Sequence, residues 1–249
     1  MSHFQRTLGL IRSLLIYHTV PGRQIRLRRL YRRFVNSGDL VFDLGAHVGN
    51  HTRALASLGC HVIAVDPQPD CANTLRLLYR ENRQVDVVEA VVSDTSEQAQ
   101  LVISERHPTL TTTKREWRED RERDPLFEGI RWNSPISVRA TTLDGLIEQY
   151  GTPSFVKIDV EGAELTILSG LSHPIQTVSI EYLPNCVDET KKCIARLSAL
   201  GPYQFNWSKA ETFTLAEKAW LTDSQLLTAL KSSDAQSRSG DVYAQLIKQ

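Results

Sequence analysis

Between Leu40 and Asp94 short apolar runs alternate with amphipathic ones, and this rhythm restricts the fold more than any other feature of the 249-residue chain. LVFDLG, HVIAVDP and VDVVEAVVSD read as buried strands, with NHTRALASLG and DCANTLRLLYREN as the helices between them and Gly59 just past the end of the first helix. Strands separated by helices at this spacing form βαβ units, which require a parallel sheet and right-handed crossovers. The alternation resumes after residue 139. TTLDGLIEQYG reads as a helix with Thr142 near its start, SFVKIDV as a fourth strand, GAELTILSGL as a helix, IQTVSIEY as a fifth strand and VDETKKCIARLSALG as a further helix. YQFNWSKAETFTLA and DVYAQLI are late β segments on either side of a short helix at 222–231. The length suits one sizeable α/β domain and not two large ones.

Two stretches depart from the rhythm. Residues 98–139 read as a hairpin or lid excursion, with QLVISE and SPISVRA as β segments around a charged span that holds Trp117 and Trp132. A span as long as 107–133 in a compact domain points either to a solvated excursion or to a lid that meets substrate. The other departure is residues 1–38, a basic helical arm ahead of a domain over 39–249. Within the arm, Leu27, Leu30, Tyr31 and Phe34 fall at i, i+3, i+4 and i+7 of an amphipathic helix over 22–36, with arginines on the other faces. That helix either packs across the domain or offers a surface to anionic lipid or an anionic carrier.

Charge sharpens the contrast. The chain carries 29 basic and 29 acidic residues, but residues 1–38 hold eight arginines, no lysine and no acid. The remainder is therefore acidic, with 21 basic against 29 acidic groups. A neutral chain is not expected to bind nucleic acid by bulk charge. With 41% hydrophobic and 23% charged residues, disorder, collagen and coiled coil are excluded. Cys60, Cys71, Cys186 and Cys193 are scattered without a C-x-x-C pair, which suggests reduced packing residues. The opening stretch has no uninterrupted apolar h-region and no small-residue cleavage site, and no run reaches the ~18 apolar residues of a membrane-crossing helix. The expected location is the cytoplasm, with peripheral membrane contact through the basic arm as a further expectation.

The chemistry concentrates in two motifs. The first βα turn has the core Asp43-x-Gly45-x-x-x-Gly49, in which the glycines allow a tight turn and bring backbone N–H groups close to a ligand. The following helix offers its positive end to a carboxylate or phosphate. Asp66, 21 residues after Gly45, ends the second strand, where an acid accepts ribose hydroxyls. The dinucleotide fingerprint has its middle glycine where this chain has His47, and Gly49 comes four residues after Gly45. A loop of this form suits S-adenosylmethionine, which has no pyrophosphate to cradle.

The second motif is Lys157-Ile158-Asp159-Val160-Glu161-Gly162-Ala163-Glu164, and the fifth strand ends in Ser179-Ile180-Glu181-Tyr182. In a sheet of order 3-2-1-4-5, Asp159, Glu161 and Glu181 converge beside the glycine loop, where open α/β sheets place their ligands. Clustered carboxylates repel unless offset. A raised pKa on one makes a general base, and a divalent cation is the other solution, although no metal site is predicted. A third reading has Asp159 and Glu161 capping the next helix.

VFDLGAHVGNHT, VIAVDPQP, EAVVSD, TTLDGLI, FVKIDVEGAELTILSG and VSIEY, in this order, resemble the FkbM family of S-adenosylmethionine-dependent methyltransferases over residues 38–183. The resemblance implies a class I methyltransferase (Rossmann-like) fold: a mostly parallel seven-stranded sheet, its last strand antiparallel, with helices on both faces. It implies methyl transfer to a hydroxyl of a small molecule, sugar or glycan. Carried over residue by residue, it puts Asp43, Gly45, Ala46 and Gly49 under the methionine part, with Asn50 and Thr52 at the helix start. Asp66 would hold the ribose, and Ser93 and Asp94 would border the adenine. Asp159 would face the methionine amino end or the acceptor. His47, where the family often has asparagine, is a binding candidate. Glu161 or Glu181 would act as base with Asp159 as orienter; His107 and His173 are outside candidates. The competing readings are a methyltransferase acting on nitrogen or carbon, a dinucleotide enzyme, and a non-catalytic S-adenosylmethionine-binding module.

Overall fold

A computed structural model describes residues 2–101, 136–160, 162–232 and 234–247. Helices α1 (Ser2–Thr19) and α2 (Arg23–Tyr31) precede β1 (Leu40–Leu44), α3 (Asn50–Ala56), β2 (His61–Val65), α4 (Pro69–Tyr79) and β3 (Val85–Val88). Next come β4 (Val91–Ser93), β5 (Ala99–Leu101), β6 (Ile136–Val138), β7 (Ala140–Thr142) and α5 (Leu143–Tyr150). The chain continues through β8 (Phe155–Ile158), α6 (Glu164–Ser169), β9 (Thr177–Tyr182), α7 (Val187–Leu200), β10 (Tyr203–Lys209), α8 (Asp223–Ala229) and β11 (Gly240–Leu246).

Seven strands form one sheet in the order β10-β11-β9-β8-β1-β2-β3. Strands β3, β2, β1, β8 and β9 are parallel, and β11 runs antiparallel to both β9 and β10. This is the class I methyltransferase architecture that the resemblance implies. Burial on both faces follows from the two-residue period of the strands. Phe42, Leu44, Ile63, Val65, Val156, Ile158, Val178 and Ile180 face a core completed by Leu143 and Leu146 of α5, Ile167 and Leu168 of α6, Ile194 and Leu197 of α7, and Leu226 of α8. Val41, Val62, Ala64, Phe155 and Tyr243 face the other way, against α2, α3 and Leu75 of α4.

Local signals explain where the helices begin. The Thr142 side chain accepts from Gly145 N–H at 2.9 Å, so it caps α5. Thr222 and Gln225 form a reciprocal capping box at the start of α8. The four apolar residues picked out in the arm are buried, and the Phe34 ring stacks on Phe155 and Tyr243 at 5.8 and 5.1 Å. Arg23 departs from the expectation that the arginines take the outer faces: it is buried.

One sequence expectation needs correction. VDVVEAVVSD is not a single strand, because the sheet strand ends at Val88, and Val91–Ser93 leaves the sheet to pair in parallel with Ala140–Thr142. The half-buried Glu89, ion-paired to Arg76, marks the break. Strands β5 and β6 pair antiparallel, with Ala99 opposite Val138. The span between them, with His107, Trp117 and Trp132, lies outside the described residues.

Candidate active site

Parallel strands present their C-terminal ends at one edge, and an antiparallel strand brings its start to that edge. Asp43, Asp66, Asp159 and Glu181 arrive there from the ends of β1, β2, β8 and β9, while Gly240 and Asp241 arrive at the beginning of β11. Register builds two polar rows on the face covered by α2 and α3. Asp43 sits opposite Lys157, Lys157 opposite Ser179, and Ser179 opposite Tyr243. Two residues on, Glu181 lies opposite Asp241, which lies opposite Ser208. This face is apolar at the far edge, where Val41 pairs with Phe155, and becomes ionisable toward the ligand edge.

The glycine loop has no room for side chains at its two glycines. Gly45 has φ +78°, and a Cβ there would sit 1.8 Å from the Asp159 carbonyl oxygen. Gly49 has φ +81°, and its Cβ would meet Leu75 and the Tyr79 hydroxyl at 2.9 Å. The loop is pinned to β2, since Gly45 and Ala46 N–H both donate to Val65 O. His47 also has positive φ, at 49°, and its N–H donates to Asp66 Oδ2 at 2.8 Å. Asp66 Oδ1 accepts from Gln68 N–H at 2.9 Å. Burial pushes the Asp66 carboxyl up to about 6, against the pull of these two donors. Burial lowers His47 to about 4, so its imidazole is neutral.

The loop holds buried polar atoms that have no partner among the described residues: Asp43 Oδ1, His47 Nε2, Asn50 Nδ2 and Gln68 Nε2. Such atoms are costly unless a ligand or water satisfies them. Asp43 Oδ2 is already taken by the Thr52 hydroxyl at 2.6 Å, and Asn50 Oδ1 by Gln24 Nε2 at 3.0 Å. The open set mixes an acceptor with donors, which fits a ligand carrying an ammonium, a carboxylate and ribose hydroxyls. Each Asp66 oxygen retains a lone pair for a hydroxyl. These residues therefore fit S-adenosylmethionine on their own chemistry.

In the second motif, Lys157 is 2% exposed, and its Nζ donates to Asp159 Oδ2 at 2.6 Å. Burial works to lower the Lys157 pKa, but Asp159, Asp241 and Asp43 outweigh it and hold the ammonium above its usual range. Asp159 is thus paired with Lys157, and the following loop is held by another residue. Glu164 Oε1 accepts from Val160 and Gly162 N–H at 3.2 and 3.3 Å. Glu164 is buried, and burial raises its pKa against those donors. Glu161 lies outside the described residues.

Asp159, Glu181 and Asp241 line a cavity of about 290 Å³ together with Tyr17, Arg23, His51, Glu211 and Phe213. Several of these were not singled out for a site in the sequence. His51, in the same motif as His47, is held neutral by burial, and its Nδ1 meets the Tyr31 hydroxyl at 2.5 Å. Asp241 is pushed up to about 6 by burial, with Lys157 pulling down and Asp159 pushing up. The Arg23 guanidinium forms a bidentate pair with Glu211 and lies 4.7 Å from the Tyr17 ring centroid. The Tyr17 ring also meets His47 edge-on at 5.8 Å, so the arm reaches the glycine loop. Among the described residues no group of three His, Cys, Asp or Glu is arranged to hold a metal ion.

Ser93 closes β4 and Asp94 follows it, so neither ends the third sheet strand, and both pack against Gly170 at the close of α6. The physical reason is the departure of β4 from the sheet; the residues following β3 are Glu89 and Ala90. His173 is exposed and precedes β9, at the opposite edge from the cavity.

Comparison with known proteins adds to this geometry. The family described as "Methyltransferase FkbM domain" matches residues 43–201. Hexuronic acid methyltransferase AglP of Haloferax volcanii is 24% identical over 153 residues, which is 61% of this chain and 57% of that relative's length. The chain therefore spans less than two thirds of that relative. Among solved structures, an O-methyltransferase from Bacillus cereus in complex with SAH aligns with a TM-score of 0.51 at 11% identity, covering 99% of this chain and 90% of that one. A TehB-like SAM-dependent methyltransferase from Corynebacterium glutamicum aligns at 0.49 and 10% identity, with 98% of each chain covered. At 11% identity the likeness to the Bacillus cereus enzyme is one of fold.

Proposed function

The chain belongs to the FkbM family of S-adenosylmethionine-dependent methyltransferases, and from that premise we propose that it methylates a hydroxyl of a small-molecule or glycan acceptor. The observation that carries this reading is the cavity lined by Asp159, Glu181 and Asp241 together with the neutral His51. A hydroxyl is a weak nucleophile, and carboxylates at its binding site give its proton somewhere to go. The hexuronic acid methyltransferase relative supports a sugar as the acceptor.

When bound, S-adenosylmethionine supplies a methyl group activated on a sulfonium sulfur. The chain's own residues then have three tasks. Asp43, Asn50 and Asp66 bind and orient the cofactor, with Gly45, Ala46, His47, Gly49 and Thr52 shaping the loop that carries them. Asp159, fixed by Lys157, orients the acceptor. One of Glu181 and Asp241 would take the acceptor hydroxyl's proton, with Glu161 of the Asp159 motif retained as a further candidate. Most of the rate gain in such a displacement comes from alignment.

Titration calorimetry with S-adenosylmethionine tests the foundation. Wild-type protein is expected to bind, and Asp66→Ala to bind roughly 10- to 100-fold more weakly, the worth of hydrogen bonds to a charged group. Undiminished affinity in the variant would overturn the ribose assignment, and product analysis with a labelled methyl group on a panel of hydroxylated acceptors would then separate oxygen from nitrogen or carbon transfer.

A further inference from the structure

We propose that α1 and α2 together form a docking surface for an anionic lipid bilayer. Each helix has two unlike faces. On α1, Leu10, Ser13, Leu14 and Tyr17 follow the i, i+3, i+4, i+7 spacing on the side that is buried or half-buried. Arg12, Leu15, Ile16 and Thr19 follow the same spacing on the exposed side. On α2 and the turn that follows it, Leu27, Leu30, Tyr31 and Phe34 are buried, while Ile25, Arg26, Arg29, Arg32 and Arg33 are exposed. The packing of these helices on the domain is thus already settled, and the outer faces are surplus to it.

The outer faces are not ordinary solvated helix surfaces. Leu15, Ile16, Val20 and Ile25 are 56%, 44%, 43% and 62% exposed. Beyond them only Leu77, Leu78 and Ile247 are large exposed hydrophobics among the described residues, so most of that exposure is gathered in an eleven-residue stretch of the arm. The same arm holds eight arginines and no acid, while the rest of the chain is acidic. Arginines alone would suit any polyanion. Arginines interleaved with exposed leucine, isoleucine and valine suit the boundary between headgroups and acyl chains, where the apolar residues enter and the guanidinium groups meet phosphate. No helix among the described residues is long and apolar enough to cross a membrane, so the mode is seating on the surface.

The same two helices also line the cavity, through residues outside the docking face. Tyr17 comes from the inner side of α1, and Arg23, which is paired with Glu211 and so takes no part in the outer face, comes from the start of α2. The docking does not rest on the cavity being the acceptor site.

Co-sedimentation of the full chain with phosphatidylcholine vesicles, with and without phosphatidylserine, tests the proposal. Binding is expected only with phosphatidylserine present, and it should weaken with salt. Two variant sets, Leu15→Asp with Ile16→Asp and Ile25→Asp, and Arg26→Glu with Arg29→Glu, are each expected to reduce binding at least about tenfold. Both should keep wild-type affinity for S-adenosylmethionine, which separates lost docking from lost folding and from failure of the methyltransferase reading. The arginine set alters no packed residue and keeps the test decisive if the apolar set is unstable. Absence of binding to phosphatidylserine vesicles would overturn the proposal. So would full binding by the apolar set, which would mark a bare polyanion site, or a lipid-free dimer that the apolar set dissociates.

Discussion

Lys157→Met is expected to destabilise the protein by about 3–5 kcal/mol, the range for removing one partner from a buried charge cluster. For a chain of this length that is a fall in melting temperature of roughly 6–20 °C. Lys157 is the buried cation among Asp43, Asp159 and Asp241, bonded directly to Asp159 at 2.6 Å. It pulls down the pKa values of Asp43 and Asp241, both of which burial raises. Without it those values rise further above their unfolded ones. A carboxyl whose folded pKa lies above its unfolded pKa favours the fold at low pH, and that contribution is lost as pH rises through the folded value. The variant's deficit should therefore be larger at pH 8 than at pH 5, read by thermal denaturation of both proteins at both pH values. A second substitution, Lys157→Met with Asp159→Asn, should recover part of the loss. An equal deficit at both pH values would mean that Lys157 matters for packing and does not balance the carboxylates.

The cluster also shows how far the sequence could be read. The ends of β1, β2, β8 and β9 were legible because a parallel strand buried on both faces is a short apolar run, and an acid or glycine closing it marks the ligand edge. Asp43, Asp66, Asp159 and Glu181 were found that way. Asp241 escaped because it opens an antiparallel strand, so its position at the edge depends on strand direction and not on any local pattern. Its pairing with Glu181 in the register of β9 and β11 could not be read from either segment alone. His51 was passed over for a related reason: it is the second residue of α3, and its partner, the Tyr31 hydroxyl, comes from the arm, distant in sequence. Glu164 reads as an ordinary first-turn acid, yet its carboxylate ties down the backbone of the preceding loop. The third strand misled because VDVVEAVVSD carries apolar residues on both sides of Glu89, and hydropathy does not report which sheet a short strand joins.

Asp241→Asn is expected to lower kcat by about 10²–10⁴-fold while leaving affinity for S-adenosylmethionine unchanged, the range for losing a general base. Four carboxylates line the cavity, and their surroundings differ. Glu211 is taken by Arg23. Asp159 is taken by Lys157. Glu181 is half-buried at the end of β9, opposite Asp241 in register. Asp241 is pushed up to about 6 by burial, against Lys157, with Asp159 adding to the rise and the Tyr243 and Ser208 hydroxyls opposing it. A base is most effective when its pKa lies near the working pH yet leaves it ionised there. Asp241 meets both conditions at neutral pH. The ionised form is the one that accepts a proton, so kcat/KM should rise with pH through about 6 and level off above it. The Asn variant should lose both the rate and that limb of the profile. Glu181→Gln serves as the counterpart: if it abolishes the limb while Asp241→Asn keeps it, the proton passes to Glu181 and Asp241 only shapes the wall of the cavity.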